Sequence, residues 1–168
     1  GDSILAVWGA PKNVEEPEFH AVKTSVEMHN SLFTLNRDEG WDEFLTMGIG
    51  LSAGTFLAGN VGSDERMEYT VIGQTVNLAQ RLESIAPSDA VLVSDVTFSS
   101  IGRKTCTVTF EPIELKGLTG KMEIHSVRGY LENEDPLRTV LSVPGLLLGP
   151  DSSPIRCRII GLFCDSYG

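Results

Sequence analysis

The run from Arg66 to Glu83 reads Arg-Met-Glu-Tyr-Thr-Val-Ile-Gly-Gln-Thr-Val-Asn-Leu-Ala-Gln-Arg-Leu-Glu, and it restricts the fold more than any other segment. Its first part alternates, with Tyr69 and Val71 on one side, and predicts a strand over 68–72. Gly73 then breaks the alternation. From Gln74 the apolar period changes: Val76, Ala79, Leu82 and Ile85 recur at helical spacing and predict a helix with one core-facing stripe. Asn77 and Arg81 stand four apart on that helix, so an amide and a guanidinium project from one face.

Three other segments extend this frame. Gly1-Asp-Ser-Ile-Leu-Ala-Val-Trp-Gly-Ala-Pro11 carries a short apolar run, Ile4 to Trp8, that reads as a buried strand. Glu15-Glu-Pro-Glu18 puts acidic residues before a helix whose apolar face includes Phe19, Val22, Val26, Leu32, Phe33 and Leu35; Arg37-Asp-Glu-Gly40 ends it. Phe44–Ala53 and Thr55–Val61 predict two strands joined by a tight glycine turn, a hairpin. Further strands are expected over 90–94, 105–110, 113–116 and 122–127, with a short helix near Val96. These elements predict an α+β fold, a largely antiparallel sheet with helices on one face. Leu131-Glu-Asn-Glu-Asp-Pro136 is an acidic connector, and Arg156–Phe163 reads as a strand. The expected organisation is a domain over 1–130, then a linker and the start of a second β-rich module over 131–168.

The net charge of −10 argues against a nucleic-acid surface, which needs clustered Lys and Arg. Cys106, Cys157 and Cys164 have no CxxC spacing and fit reduced thiols in a cytosolic protein. His20, His29 and His125 are scattered and read as surface or core-edge residues. The glycines match neither a Walker loop, with no Gly-Lys-Ser/Thr, nor a strand–glycine loop–helix dinucleotide fingerprint. No stretch reaches membrane-spanning length, and the longest apolar run, Val143 to Leu148, is broken by Pro144 and Gly145.

Together, Gly1–Pro11, Gly48–Gly62, Arg66–Glu83 and Glu114-Leu-Lys-Gly117 resemble the class III nucleotide cyclases, the adenylate and guanylate cyclase catalytic domain. They match in order and approximate spacing, from Gly1 to about Val127. The resemblance implies a ferredoxin-like core. It implies an enzyme, acting as a homodimer, that cyclises a nucleoside triphosphate by attack of the ribose 3′ oxygen on the α-phosphate, releasing pyrophosphate. It assigns Asn77 to the ribose and Arg81 to the charge that develops on the phosphoryl group, a task suited to a permanently charged, bidentate donor. Without the flanking match, both residues would read as a solvated helix face.

Thr70 takes the purine-edge position. Its hydroxyl accepts from an adenine amino group or donates to a guanine carbonyl, so it favours ATP without excluding GTP; it is also an ordinary β-favouring residue. Asp2 takes the place of one of two carboxylates that hold two Mg2+ or Mn2+ ions, although an Asp beside Gly is often a turn residue. Lys116 resembles a lysine that reaches the terminal phosphates, or is a solvated turn residue. Arg66 has a basic counterpart in part of the family and otherwise reads as a surface charge. The expectation is a cytoplasmic adenylate cyclase. A catalytically silent cyclase-homology domain is the alternative, and a guanylate cyclase is a third reading that Thr70 disfavours. The resemblance also places a first strand, with the second metal carboxylate, and a purine-reading Lys upstream of Gly1. Residues 1–168 alone are therefore expected to be inactive, unless a carboxylate such as Asp151 or Asp165 completes the site.

Overall fold

Residues 2–40, 44–63, 66–131, 139–141 and 155–163 are described by the computed structural model. The side chains of 62–68, including Arg66, the connector after Leu131, the Val143–Leu148 run, Cys164, Asp151 and Asp165 lie outside what is described. In chain order the strands are β1 (Ser3–Trp8), β2 (Leu45–Ala53), β3 (Leu57–Ser63), β4 (Arg66–Ile72), β5 (Val91–Ser94), β6 (Thr105–Thr109), β7 (Ile113–Glu114), β8 (Lys121–Met122), β9 (Ile124–Leu131), β10 (Thr139–Leu141) and β11 (Ile155–Phe163). The helices are α1 (Pro17–Glu39), α2 (Gln74–Ile85) and α3 (Asp95–Ile101).

Local chemistry sets the helix ends. Pro17 opens α1, where its missing N–H costs nothing, and Glu18 sits in the first turn. Gly40, at φ 59°, closes the helix in the left-handed conformation. Ser94 caps α3, its Oγ accepting from the Thr97 N–H at 3.4 Å.

The main sheet runs β1-β11-β2-β5-β9-β10, with β6 also paired to β9. β1, β11, β2 and β5 are mutually parallel, and β9 is antiparallel to β5, β6 and β10. β11 therefore lies inside the main sheet, between β1 and β2. The main sheet is mixed, with β1, β11, β2 and β5 forming its parallel part and β9 pairing antiparallel with its neighbours. β2 does not form a hairpin with the strand after it, as the glycine turn had suggested. Instead β3 pairs antiparallel with β4 as a separate ribbon, from Leu57↔Ile72 to Ser63↔Arg66.

The two faces of β2 explain the layering. Met47, Ile49, Leu51 and Ala53 pack with Val22 and Val26 of α1, Ile101 of α3, and Val91, Val93 and Val127. Gly50, on the opposite face, meets α2: a Cβ there would lie 2.3 Å from the Ala79 carbonyl oxygen. The helices thus cover both faces, not one. Period-two alternation in β2 makes this possible by putting large residues on one side and glycine on the other. On the α2 side, Leu82 and Ala86 pack with Leu92, Leu115 and Ile124, while Ala79 joins Phe56 and Val71.

Two histidines read as peripheral are buried. His29 of α1 is 2% exposed, and its Nε2 lies 2.9 Å from the Met47 carbonyl oxygen. His125 of β9 is also 2% exposed. Within α2, Ile85 is exposed, and Ala86 and the carboxyl-bearing Glu83 are buried in its stead.

Candidate active site on helix α2

α2 is fixed at its start and along its underside. Thr75 donates through Oγ1 to the Thr55 carbonyl at 3.0 Å, tying the first turn to the loop after β2. Gly73 precedes it with extended backbone, and a Cβ there would lie 3.2 Å from the Phe56 Cα and Cβ. Ala79, Leu82 and Glu83 are buried beneath the helix, directly over Gly50. With that side committed, the face carrying Asn77 and Arg81 points away from the sheet.

Asn77, Gln80, Arg81, Glu83 and Ser84 line a cleft of about 420 Å³. The i, i+3, i+4, i+7 spacing from Asn77 accounts for Gln80, Arg81 and Ser84 sharing this face, and it was the signal from which Gln80 and Ser84 could have been read. Asn77 is exposed and Arg81 half-buried. Among the described residues, no carboxylate pairs with Arg81.

The segment after β7 abuts the same guanidinium. Leu115, 5% exposed, is anchored in the cluster that holds Leu82. Gly117, at φ +76°, then turns against Arg81, and a Cβ on it would lie 3.0 Å from Arg81 Nη2. Lys116, between Leu115 and Gly117, is exposed. The fold therefore brings Asn77, Arg81 and the Lys116–Gly117 turn together. Thr70 and Asp2 do not line the cleft. Thr70 is half-buried on β4, opposite Gly59, in the strand that leads into α2. Asp2 is exposed at the amino end of β1, a strand hydrogen-bonded to β11 rather than to β2.

The arrangement offers an amide and a guanidinium on one face of a helix whose underside is packed on the sheet. Such donors suit a polyanion whose charge grows during reaction. No helix among the described residues is long and apolar enough to cross a membrane.

The sequence profile of the adenylate and guanylate cyclase catalytic domain matches residues 1–129. The chain belongs to that family, and its fold is that of the solved class III cyclase domains. Adenylate cyclase 1 of Rhizobium meliloti (strain 1021) is 33% identical over 137 residues, 77% of this chain and 20% of that protein. The adenylyl cyclase CyaB from P. aeruginosa superposes with a TM-score of 0.64 at 30% identity, covering 71% of this chain and 64% of that one. The guanylyl cyclase Cya2 superposes with a TM-score of 0.66 at 31% identity, covering 80% and 68%. The chain spans about a fifth of the length of the curated relatives it matches. Adenylate and guanylate cyclases stand at similar distances, so family membership defines a cyclic-nucleotide-forming domain and leaves the purine open.

Proposed function

We propose that this is the catalytic domain of an adenylate cyclase, which converts ATP to 3′,5′-cyclic AMP and pyrophosphate in intracellular signalling in the cytoplasm. The observation that carries the reading is the cleft that Asn77 and Arg81 share, with the Gly117 turn set against the Arg81 guanidinium. In the reaction a bond forms between the ribose 3′ oxygen and the α-phosphorus, and the bond from that phosphorus to the bridging oxygen of pyrophosphate breaks. Arg81 stabilises the charge gathering on the phosphoryl oxygens. Asn77 orients the ribose, and Lys116 meets the terminal phosphates. Thr70 reads the purine edge; its hydroxyl accepts from the adenine 6-amino group.

Asp2 supplies one carboxylate ligand for Mg2+ or Mn2+. An exposed carboxylate at a strand end is a hard oxygen donor of the type these ions take beside phosphate oxygens and water. Bound there, such ions would supply neutralisation of the triphosphate and activation of the attacking oxygen.

A homodimer is part of the proposal. One face of the β3–β4 ribbon exposes Leu57 (77%), Ile72 (58%) and Val61 (51%), with Leu57 and Ile72 directly paired. A second copy that covers this apolar surface would place its own site residues against α2.

The test measures product formation from ATP and from GTP at matched concentrations, with Mg2+ or Mn2+, by the protein that carries this domain. Cyclic AMP should dominate, and Arg81→Ala should lower kcat by about 100- to 1000-fold with a smaller effect on KM. GTP turnover equal to or above that of ATP overturns the adenylate assignment. Absence of product with either nucleotide assigns a silent cyclase-homology domain instead.

A further inference from the structure

We propose that Asp95, Glu123 and His125 form a binding site for a divalent transition-metal ion of the zinc type. One ligand atom from each residue lies within 4.8 Å of the other two. Asp95 begins α3, Glu123 stands between β8 and β9, and His125 lies in β9, so three elements converge at one end of the sheet.

His125 makes this more than an acidic cluster. The ring is 2% exposed and stacks on Phe98, with centroids 3.9 Å apart and planes at 19°. Its Nδ1 lies 2.9 Å from Thr109 Oγ1. Its Nε2 is buried and has no hydrogen-bond partner. Asp95 Oδ1 approaches that nitrogen at 3.4 Å, an ion-pair distance beyond the usual 2.7–3.2 Å of an N–H···O hydrogen bond. A buried, unpaired ring nitrogen is unfavourable and calls for a partner.

A metal ion supplies one. With bonds of about 2.0–2.2 Å to nitrogen and oxygen, two ligands of a tetrahedral ion stand about 3.3–3.6 Å apart. The 3.4 Å between His125 Nε2 and Asp95 Oδ1 falls in that range. The exposed Glu123 carboxylate needs only a side-chain adjustment to join them, and water takes the fourth place. In the proposed tautomer Nδ1–H donates to Thr109 Oγ1 and leaves the Nε2 lone pair for the ion, as ligating histidines commonly do. An imidazole with two carboxylates selects zinc-like ions over magnesium or calcium, which take oxygen donors. The site opens on a cleft of about 350 Å³ that Leu78 of α2 also lines, next in sequence to Asn77. Lys121 lines the cleft too.

The experiment titrates Zn2+, and separately Mg2+, into metal-stripped protein. It follows bound metal and thermal stability, with Co2+ as a spectroscopic probe of tetrahedral coordination. One Zn2+ per domain should bind and raise Tm, and Mg2+ in the same range should not. Asp95→Asn and Glu123→Gln change exposed side chains and preserve the fold, checked by circular dichroism. Each should abolish the Zn2+-dependent rise in Tm. Thr109→Val should weaken binding about 10- to 100-fold through loss of the orienting contact. Zn2+ affinity unchanged in both carboxylate variants, or no Zn2+ binding to the parent protein, overturns the site and leaves His125 and Asp95 as a close polar contact only.

Discussion

Gly50→Ala is expected to push α2 away from the sheet and to damage stability and catalysis together. A methyl group at Gly50 would sit 2.3 Å from the Ala79 carbonyl oxygen, 2.3 Å from the Glu83 backbone nitrogen and 3.0 Å from the Glu83 Cα. All three are backbone atoms of one helix, so no rotamer change relieves the overlap. Comfortable contacts for carbon are about 3.5–4.0 Å. The helix must retreat by roughly 1 Å, or β2 must buckle by a similar amount. Either movement loosens Ala79 and Leu82, both 0% exposed. Overpacking of this kind costs about 1–3 kcal/mol. With about 2–4 °C of Tm per kcal/mol for a domain of this size, the midpoint should fall by about 2–12 °C.

The catalytic effect has a separate scale. Asn77 and Arg81 ride on the same helix, and a misplacement of about 1 Å can cost about 100-fold in rate. The assay pairs thermal unfolding with steady-state kinetics below the lowered midpoint, so that lost activity is not lost protein. Gly59→Ala is the control for stability, because a Cβ at Gly59 meets nothing within 4 Å; its unfolding free energy should stay within about 0.5 kcal/mol of the parent. A Gly50→Ala protein with parental Tm and parental kcat would refute the close packing of α2 on β2 as the basis of the site.

Thr97→Val should cost about 1–3 kcal/mol despite its near-equal size, because Thr97 Oγ1 accepts from the buried Ala53 N–H at 2.8 Å; an unchanged urea midpoint would contradict it. Stability should also fall on acidification through the histidine range. Burial holds the His29 imidazole below its ordinary range, against smaller upward pulls from the Met47 carbonyl and Asp89. The unfolded chain therefore takes up that proton first as pH drops below about 6.5, and the loss continues until the folded-state value is reached. Asp89, raised chiefly by burial, acts with the opposite sign at lower pH, where the folded state holds the extra proton. His29→Gln should flatten the slope of unfolding free energy between about pH 5 and 7; an unaltered slope would assign the acid sensitivity elsewhere.

What could be read in advance was local. The strand–glycine–helix sequence of Arg66 to Glu83 sets the end of β4 at Ile72 and the start of α2 at Gln74, because alternation and helical spacing are properties of neighbours in the chain; β4 begins at Arg66, two residues before the expected start. Asn77 and Arg81 were legible for the same reason: a fixed spacing on one helix places two side chains on one face whatever the helix packs against. Strand partners were not legible. Gly54, between Ala53 and Leu57, looks like a hairpin turn, yet β2 turns to β5 and β11 because its large residues need α1 and α3 on one face while Gly50 admits α2 on the other. A lone strand carries its alternation but not the identity of what covers each side.

The same limit hid the two features that bear most on α2 and on the end of the sheet. Glu83 looks like a surface residue at the polar end of a helix, and it is 1% exposed because Gly50 lets the helix backbone sink onto β2. His125 looks like one of three scattered histidines. It becomes a candidate ligand only when β9 pairs with β5, setting His125 opposite Val93 and beside the start of α3. Asp95 and His125 are far apart in sequence, and no spacing rule joins them; only the antiparallel register does. Glycine at position 50 and imidazole at position 125 thus draw their meaning from contacts made across the sheet. Substitutions there test the tertiary fold, and those at Asn77 and Arg81 test the chemistry that the helix presents.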